Sequence, residues 1–227
     1  MKNLAIIPAR SGSKGLPHKN IKELKGQPLM AYTIQAAIDS GMFDVVMVST
    51  DSEEYATVAK TCGAEVPFLR SAAQSTDSAD SWSVVKEVLK AYEAQGQTFD
   101  TVCLLQPTSP LRDEEDIRAG YDLFREKKAD AVTSVCEVEH SPLWCMTLEE
   151  DLSLDAFRAN LPQGPRQKLN QFYRLNGAVY IRRVRYERGE IQILHSNEFA
   201  LVMNTTKSVD IDTELDFKMA ELLMQMR

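Results

Sequence analysis

Leu4-Ala5-Ile6-Ile7-Pro8-Ala9-Arg10-Ser11-Gly12-Ser13-Lys14-Gly15-Leu16-Pro17-His18-Lys19-Asn20 is a short apolar run that passes directly into a loop rich in glycine, hydroxyls and positive charge. An unbroken apolar run suits a strand covered on both faces, as in a parallel sheet flanked by helices. Three more such runs follow, at Val45 to Ser49, Thr101 to Leu105 and Ala131 to Val135, spaced by segments long enough for helices. The alternation predicts βαβ units and an α/β fold with a mainly parallel sheet.

Helix boundaries are written around these runs. Leu29 to Ser40 carries apolar residues at helical spacing and stops at Gly41, a C′ glycine. Ser52, Glu53 and Glu54 open the next helix by capping and by complementing its dipole, and Gly63 closes it. Asp113 starts another helix, and Thr213 to Asp216 fits a capping box leading into a last helix through Met226. From about Glu139 to Leu175 the pattern breaks, with Pro142, Pro162, Gly164 and Pro165, before the strand-like Gly177 to Ile181. We read residues 1–227 as one domain, with residues 139–175 as an insertion projecting from the sheet.

Composition narrows the function. The formal charge is 26 − 33 = −7, which disfavours nucleic acid or an anionic membrane surface as partner. No stretch approaches the roughly 20 apolar residues of a membrane span, and the Leu4 to Ile7 run is too short for a signal sequence, so a cytoplasmic location is expected. Cys62, Cys103, Cys136 and Cys145 form no CxxC pair, and they read as reduced and structural. His18, His140 and His195 lack a nucleophile partner in the sequence pattern, and Trp82 and Trp144 read as packing or interface residues.

Three segments carry chemistry. Ligands of α/β sheets gather beyond the carboxyl ends of strands, where the first loop places Arg10, Lys14 and Lys19 among Gly12, Gly15, Ser11 and Ser13. That set suits a triphosphate. It is neither the GxxxxGK[ST] loop nor the GxGxxG fingerprint, and three charges alone would also fit a solvated loop. In Ser208-Val209-Asp210-Ile211-Asp212-Thr213, an extended backbone points Asp210 and Asp212 the same way. Two carboxylates beside a triphosphate suit Mg²⁺, although Asp212 or Thr213 would equally serve as a helix cap. Leu105-Gln106-Pro107-Thr108-Ser109-Pro110-Leu111-Arg112 is a proline-fixed turn after a strand, offering amide, hydroxyl and guanidinium groups. By itself it is a polar turn.

Together these segments resemble the acylneuraminate cytidylyltransferases, along nearly the whole chain: PARSGSKGLPHKN, Ser49 to Asp51, Phe68 to Arg70, LLQPTSPLR, Glu137 to Pro142, Pro165 to Gln167, YRLNGAVYI and SVDIDTELDF. The resemblance implies a Rossmann-like nucleotidyltransferase fold and a homodimer in which the projecting insertion reaches the partner's sugar pocket. It implies transfer of CMP from CTP to the anomeric hydroxyl of a nine-carbon sugar acid, N-acetylneuraminate first, with legionaminate or pseudaminate as the alternative. KDO, a GTP-using relative and a non-catalytic nucleotide-binding module rank below these. Arg10, Ser13, Lys14, Lys19 and Asn20, with Arg70 and Ser78, are thereby assigned to the nucleotide. Gln106, Arg166, Arg174 and Tyr180 go to the sugar acid, Asp210 and Asp212 to Mg²⁺, and Lys19, Asp212 and Arg10 to catalysis.

Overall fold

The computed structural model describes residues 1–12, 15–71, 74, 80–148, 150–161 and 170–226. In chain order, β1 (Asn3–Pro8) leads through the first loop to a small ribbon, β2 (Glu23–Leu24) and β3 (Gln27–Pro28), and then to α1 (Leu29–Ser40). β4 (Val45–Ser49), α2 (Glu53–Thr61), α3 (Ser81–Ala94), β5 (Thr101–Leu104), α4 (Glu114–Glu126) and β6 (Ala131–Glu137) follow. A short helix, α5 (Asp155–Ala159), precedes β7 (Tyr173–Glu187), β8 (Glu190–Ile193), β9 (Glu198–Met203) and α6 (Glu214–Gln225).

The main sheet has the order β4-β1-β5-β7-β6-β9, with β8 paired to β7. β1 runs parallel to β4 and β5, and β6 runs parallel to β9. β7 is antiparallel to β5, β6 and β8, so every other strand of this sheet points one way. The four apolar runs are β1, β4, β5 and β6, as their pattern predicts. Alternate residues of β1 enter two cores. Ala5 and Ile7 join Ile34, Tyr55, Tyr121 and Phe124 from α1, α2 and α4, whereas Leu4 and Ile6 join Val85, Val88 and Leu89 from α3. Helices on both faces exclude water from both sides of the strand, which explains why no polar residue interrupts it.

A third cluster, with Leu16, Leu24, Leu29, Ile211 and Phe217 at its centre, lies between the ribbon and α6. It joins the first loop to the last helix across almost the full length of the chain. The helix boundaries follow the sequence cues: Gly41 is left-handed at φ +64° after α1, and Asp113 and Thr213 both form capping boxes. One reading needs correction. The strand expected over Gly177 to Ile181 begins at Tyr173, where exposed side chains hide a backbone paired with Cys136 and Glu137.

Candidate active site

The carboxyl ends of β1, β4 and β5 open onto one edge of the sheet, and the end of β7 nearest them is its beginning, because that strand runs backwards. Loops after the first three and the start of the fourth therefore meet. Ser11, just past β1, donates its N–H to Asp51 Oδ1 at 2.8 Å and its hydroxyl to Oδ2 at 3.2 Å. Asp51, directly past β4, thus organises the first loop. The buried Asn20 turns its amide inward, donating to the Arg10 carbonyl at 3.1 Å.

Arg70 returns to the same edge. Its Nε donates to Ser49 Oγ at 3.1 Å and its Nη2 to the Ser49 carbonyl at 2.7 Å. Burial lowers the Arg70 pKa, Asp51 and Glu87 oppose the shift, and Arg10 adds to it. Arg10 and Arg70 are therefore neighbours, two guanidinium groups sharing one carboxylate-organised corner.

The opposite wall is the approach to α6. Ile211 is fully buried, and its N–H donates to the Thr108 carbonyl at 2.8 Å. With Ile211 fixed inward, the extended backbone directs its neighbours Asp210 and Asp212 outward together. Lys19 joins them, its Nζ donating to the Ile211 carbonyl at 2.6 Å and to Asp212 Oδ1 at 2.8 Å. Gly15 passes so close that a Cβ there would lie 2.7 Å from the Asp212 carbonyl oxygen, so only glycine permits this approach.

Surrounding protein desolvates the Asp210 carboxyl and raises its pKa, and Asp212 pushes it the same way. A Thr108 hydrogen bond, Lys19 and Arg174 pull it back. Two carboxylates two residues apart, one of them disfavoured as an anion by its surroundings, fit a hard divalent cation that brings phosphate oxygens and water to complete its shell. Among the described residues no group of three or more His, Cys, Asp or Glu could close around a metal unaided.

The Gln106 turn is held from behind. Arg112, fully buried, donates Nη1 to the Gln106 and Ser109 carbonyls at 3.4 and 3.1 Å. The Gln106 amide lies against β7 at Gly177, where a Cβ would meet Gln106 Oε1 at 2.5 Å. Asn176, also buried, donates to Ser208 Oγ at 2.9 Å, and Arg174 Nη2 donates to the Ser208 carbonyl at 3.2 Å. β7 thereby braces the backbone two residues ahead of Asp210. Burial raises the Tyr180 pKa, Asp210 adds to the rise, and Arg182 opposes it.

Arg10, Lys19, Asn20, Arg70, Gln106, Arg174, Tyr180, Asp210 and Asp212 all lie at or beside this edge. Ser13, Lys14, Ser78 and Arg166 fall outside the described residues. Asp51 was not among the residues assigned from sequence. Its signal was its place immediately after a buried strand and facing a basic loop, the rule already applied to Arg10 and Gln106. Asn176 and Ser208, which also went unassigned, are buried polar residues whose role is visible only once β7 and the last loop are adjacent.

The fold is shared with solved cytidylyl-transferring proteins. A CMP:2-keto-3-deoxy-manno-octonic acid synthetase complexed with CTP superposes with a TM-score of 0.71 at 15% identity, covering 100% of this chain and 99% of that one. The 4-diphosphocytidyl-2C-methyl-D-erythritol synthase of Anaerococcus prevotii gives 0.62 at 16% identity, covering 99% and 98%. By sequence, the chain is 37% identical to the CMP-N,N'-diacetyllegionaminic acid synthase of Legionella pneumophila, over 100% of this chain and 97% of that one. It is 36% identical to a pseudaminic acid cytidylyltransferase of Campylobacter jejuni, over 98% and 96%. It is 40% identical to the N-acylneuraminate cytidylyltransferase of Streptococcus agalactiae, over 96% of this chain and 52% of that protein, so it spans about half of that relative. The cytidylyltransferase family model matches residues 4–227, and the chain belongs to that family of nucleotidyltransferases.

Proposed function

We propose that this protein transfers CMP from CTP to the anomeric hydroxyl of a nonulosonic acid, releasing pyrophosphate. The observation that carries the reading is the convergence of Lys19, Asp210 and Asp212 at the sheet edge that also carries Arg10 and Arg70. One wall is built for phosphate, and the other pairs carboxylates with a lysine. The names of the relatives support an acceptor among the nonulosonic acids. N-acetylneuraminic, legionaminic and pseudaminic acids are the acceptors to compare.

In the step itself, the anomeric oxygen forms a bond to the α-phosphorus of CTP as the bond to the bridging α,β-oxygen breaks. The electron pair leaves with pyrophosphate. Arg10 and Lys19 lower the cost of charge on the phosphates, a preorganised electrostatic contribution. Gln106, Arg174 and Tyr180 orient the acceptor, converting binding energy into alignment. Asp212 has one oxygen on Lys19 and accepts the hydroxyl proton at the other. Asp210 and Asp212 are the residues that would hold Mg²⁺, which neutralises phosphate charge when bound.

The test is pyrophosphate release with CTP and Mg²⁺ against N-acetylneuraminic, legionaminic, pseudaminic and KDO acceptors, with GTP in parallel. Rapid release with CTP and one nonulosonic acid is expected, whereas silence with all of them despite CTP binding would favour a non-catalytic nucleotide-binding role. Asp212→Ala should reduce turnover at least about 10²-fold, the scale of losing a transition-state group. Because the Asp212 side chain is 73% exposed, its unfolding free energy should move by no more than about 0.5 kcal/mol. A near-normal rate would remove Asp212 from the chemistry.

A further inference from the structure

Beside Tyr180, on the sheet, lies an open cavity of about 470 Å³. That volume falls in the range of small-ligand clefts, roughly 300–1,000 Å³. Its walls come from β6, β7, β9 and Trp82 of α3. Tyr180 belongs both to this cavity and to the electrostatic neighbourhood of Asp210, so the cavity adjoins the acceptor region.

The polar groups of the cavity are unusually specific in what they leave available. Arg182 is buried, and its Nη1 donates to the Val132 and Ile181 carbonyls at 3.2 and 3.0 Å. Its Nη2 donates to Thr133 Oγ1 and to Glu198 Oε1, each at 2.9 Å, and its Nε reaches His195 Nδ1 at 3.4 Å. All five N–H groups of the guanidinium are spent. Its flat face lies 5.0 Å from the centre of the Trp82 ring. The arginine is therefore a wall and not a donor to ligand.

Glu198 is different. Oε1 receives both the Thr133 hydroxyl and Arg182, and among the described residues nothing hydrogen-bonds to Oε2. The side chain keeps 39% of its surface accessible. Tyr180 supplies the complement: its hydroxyl stands on the cavity wall and can donate. One acceptor and one donor thus border a space whose remaining lining includes Val135, Ala200 and the Trp82 ring.

A secondary amide carrying a small alkyl group matches all three features. Its N–H meets the carboxylate, its carbonyl meets the tyrosine hydroxyl, and its alkyl end covers apolar wall that a bare hydroxyl would leave wet. A free amine matches less well, because the Glu198 charge is already balanced by Arg182 and an added cation would face that guanidinium.

Resting on the proposed function, we infer that this cavity is a specificity annex of the acceptor site, in which Glu198 selects sugar acids bearing a second acylamino substituent. The amide nearer the anomeric centre is then common to all acceptors, and the more distant one distinguishes them. Relatives named for an N,N'-diacetylated acid and for N-acylneuraminate represent the two sides of this choice.

The experiment compares kcat/KM for N,N'-diacetyllegionaminic acid and N-acetylneuraminic acid in the wild type, Glu198→Gln and Ala200→Leu. Glu198→Gln can still accept from Arg182 and Thr133, but it turns an NH₂ toward the space that held an acceptor. The wild type should prefer the diacetylated acid by tenfold or more. Both variants should bring the ratio near one through a raised KM for the diacetylated acid, with CTP affinity and melting temperature as controls. A wild-type ratio near one, or a ratio unmoved in both folded variants, overturns the inference while leaving the cytidylyltransferase reading intact. Absence of pyrophosphate release with every nonulosonic acid overturns both. If Glu198→Gln fails to fold, the cavity-filling Ala200→Leu decides.

Discussion

Gly177 shows how one residue without a side chain can set the position of another. Its φ of +76° lies in the left-handed region, and a Cβ would fall 2.5 Å from Gln106 Oε1. Gly177→Ala therefore strains the backbone by about 1–2 kcal/mol and drives the Gln106 amide from its place. The expected result is a KM for the sugar acid raised roughly tenfold, the equivalent of one lost hydrogen bond, with the KM for CTP held within twofold. Steady-state kinetics in both substrates checks this, and equal rises in both KM values would show that the damage spreads beyond Gln106. At this scale much of the site was legible. Arg10, Gln106 and the Asp210/Asp212 pair each follow a recognisable strand or precede a capped helix. The constraints that make them converge were not legible, because Gly15 against Asp212 and Gly177 against Gln106 are contacts between residues distant in sequence.

Elements that wear their pattern openly were read correctly, and those shaped by partial exposure were not. β1, with four residues at 0% exposure, shows an unbroken apolar run. β9 alternates exposed and half-buried positions at the edge of the sheet, and its sequence, EFALVM, does not separate strand from helix. α3 begins at Asp80, whose side chain accepts from the Ser83 N–H, but its first turn has no acidic residue and no clear break before it. The sheet edge also needs a fastening between elements. Lys207, in the approach to Asp210, pairs with Asp113 and Asp116 at the start of α4 at 2.5 and 3.2 Å. Burial disfavours its charge, but the two carboxylates outweigh burial and raise its pKa above the ordinary 10.5. A raised folded pKa means that the stabilisation is complete below 10.5 and is lost as pH rises through the higher folded value. Lys207→Met should cost about 1–2 kcal/mol at neutral pH, between the values for surface and buried ion pairs. The difference from wild type should shrink in strong alkali. Urea unfolding at pH 7 and above pH 10.5 tests the sign, and a gap that widens with pH would refute the assignment.

For the whole molecule, the question is why a nucleotidyltransferase should display so much apolar surface in and near the β6–β7 connection. Between β6 and β7, Leu143, Trp144, Met146, Leu148, Leu152 and Leu154 are all exposed, Leu152 at 68%. Leu175 and Val202 on the sheet itself are exposed at 63% and 60%. An accumulation of this kind is uncommon on a monomer and points to a surface covered by protein. The segment belongs to the insertion read from sequence as projecting toward a partner, and a second copy of the chain would supply the same residues to a self-complementary interface. We therefore expect a homodimer by analytical ultracentrifugation at micromolar concentration. Replacing Leu148 and Leu152 together by Asp places two charges where the interface core would exclude water. The double variant should sediment as a monomer and lose acceptor turnover more than CTP binding, because Arg10, Lys19 and Arg70, the residues proposed above to hold CTP, belong to one chain. A wild-type monomer with full turnover would locate every acceptor contact in the single chain and leave this apolar surface to another partner. If the double variant is monomeric but turns over normally, the interface exists without completing the site.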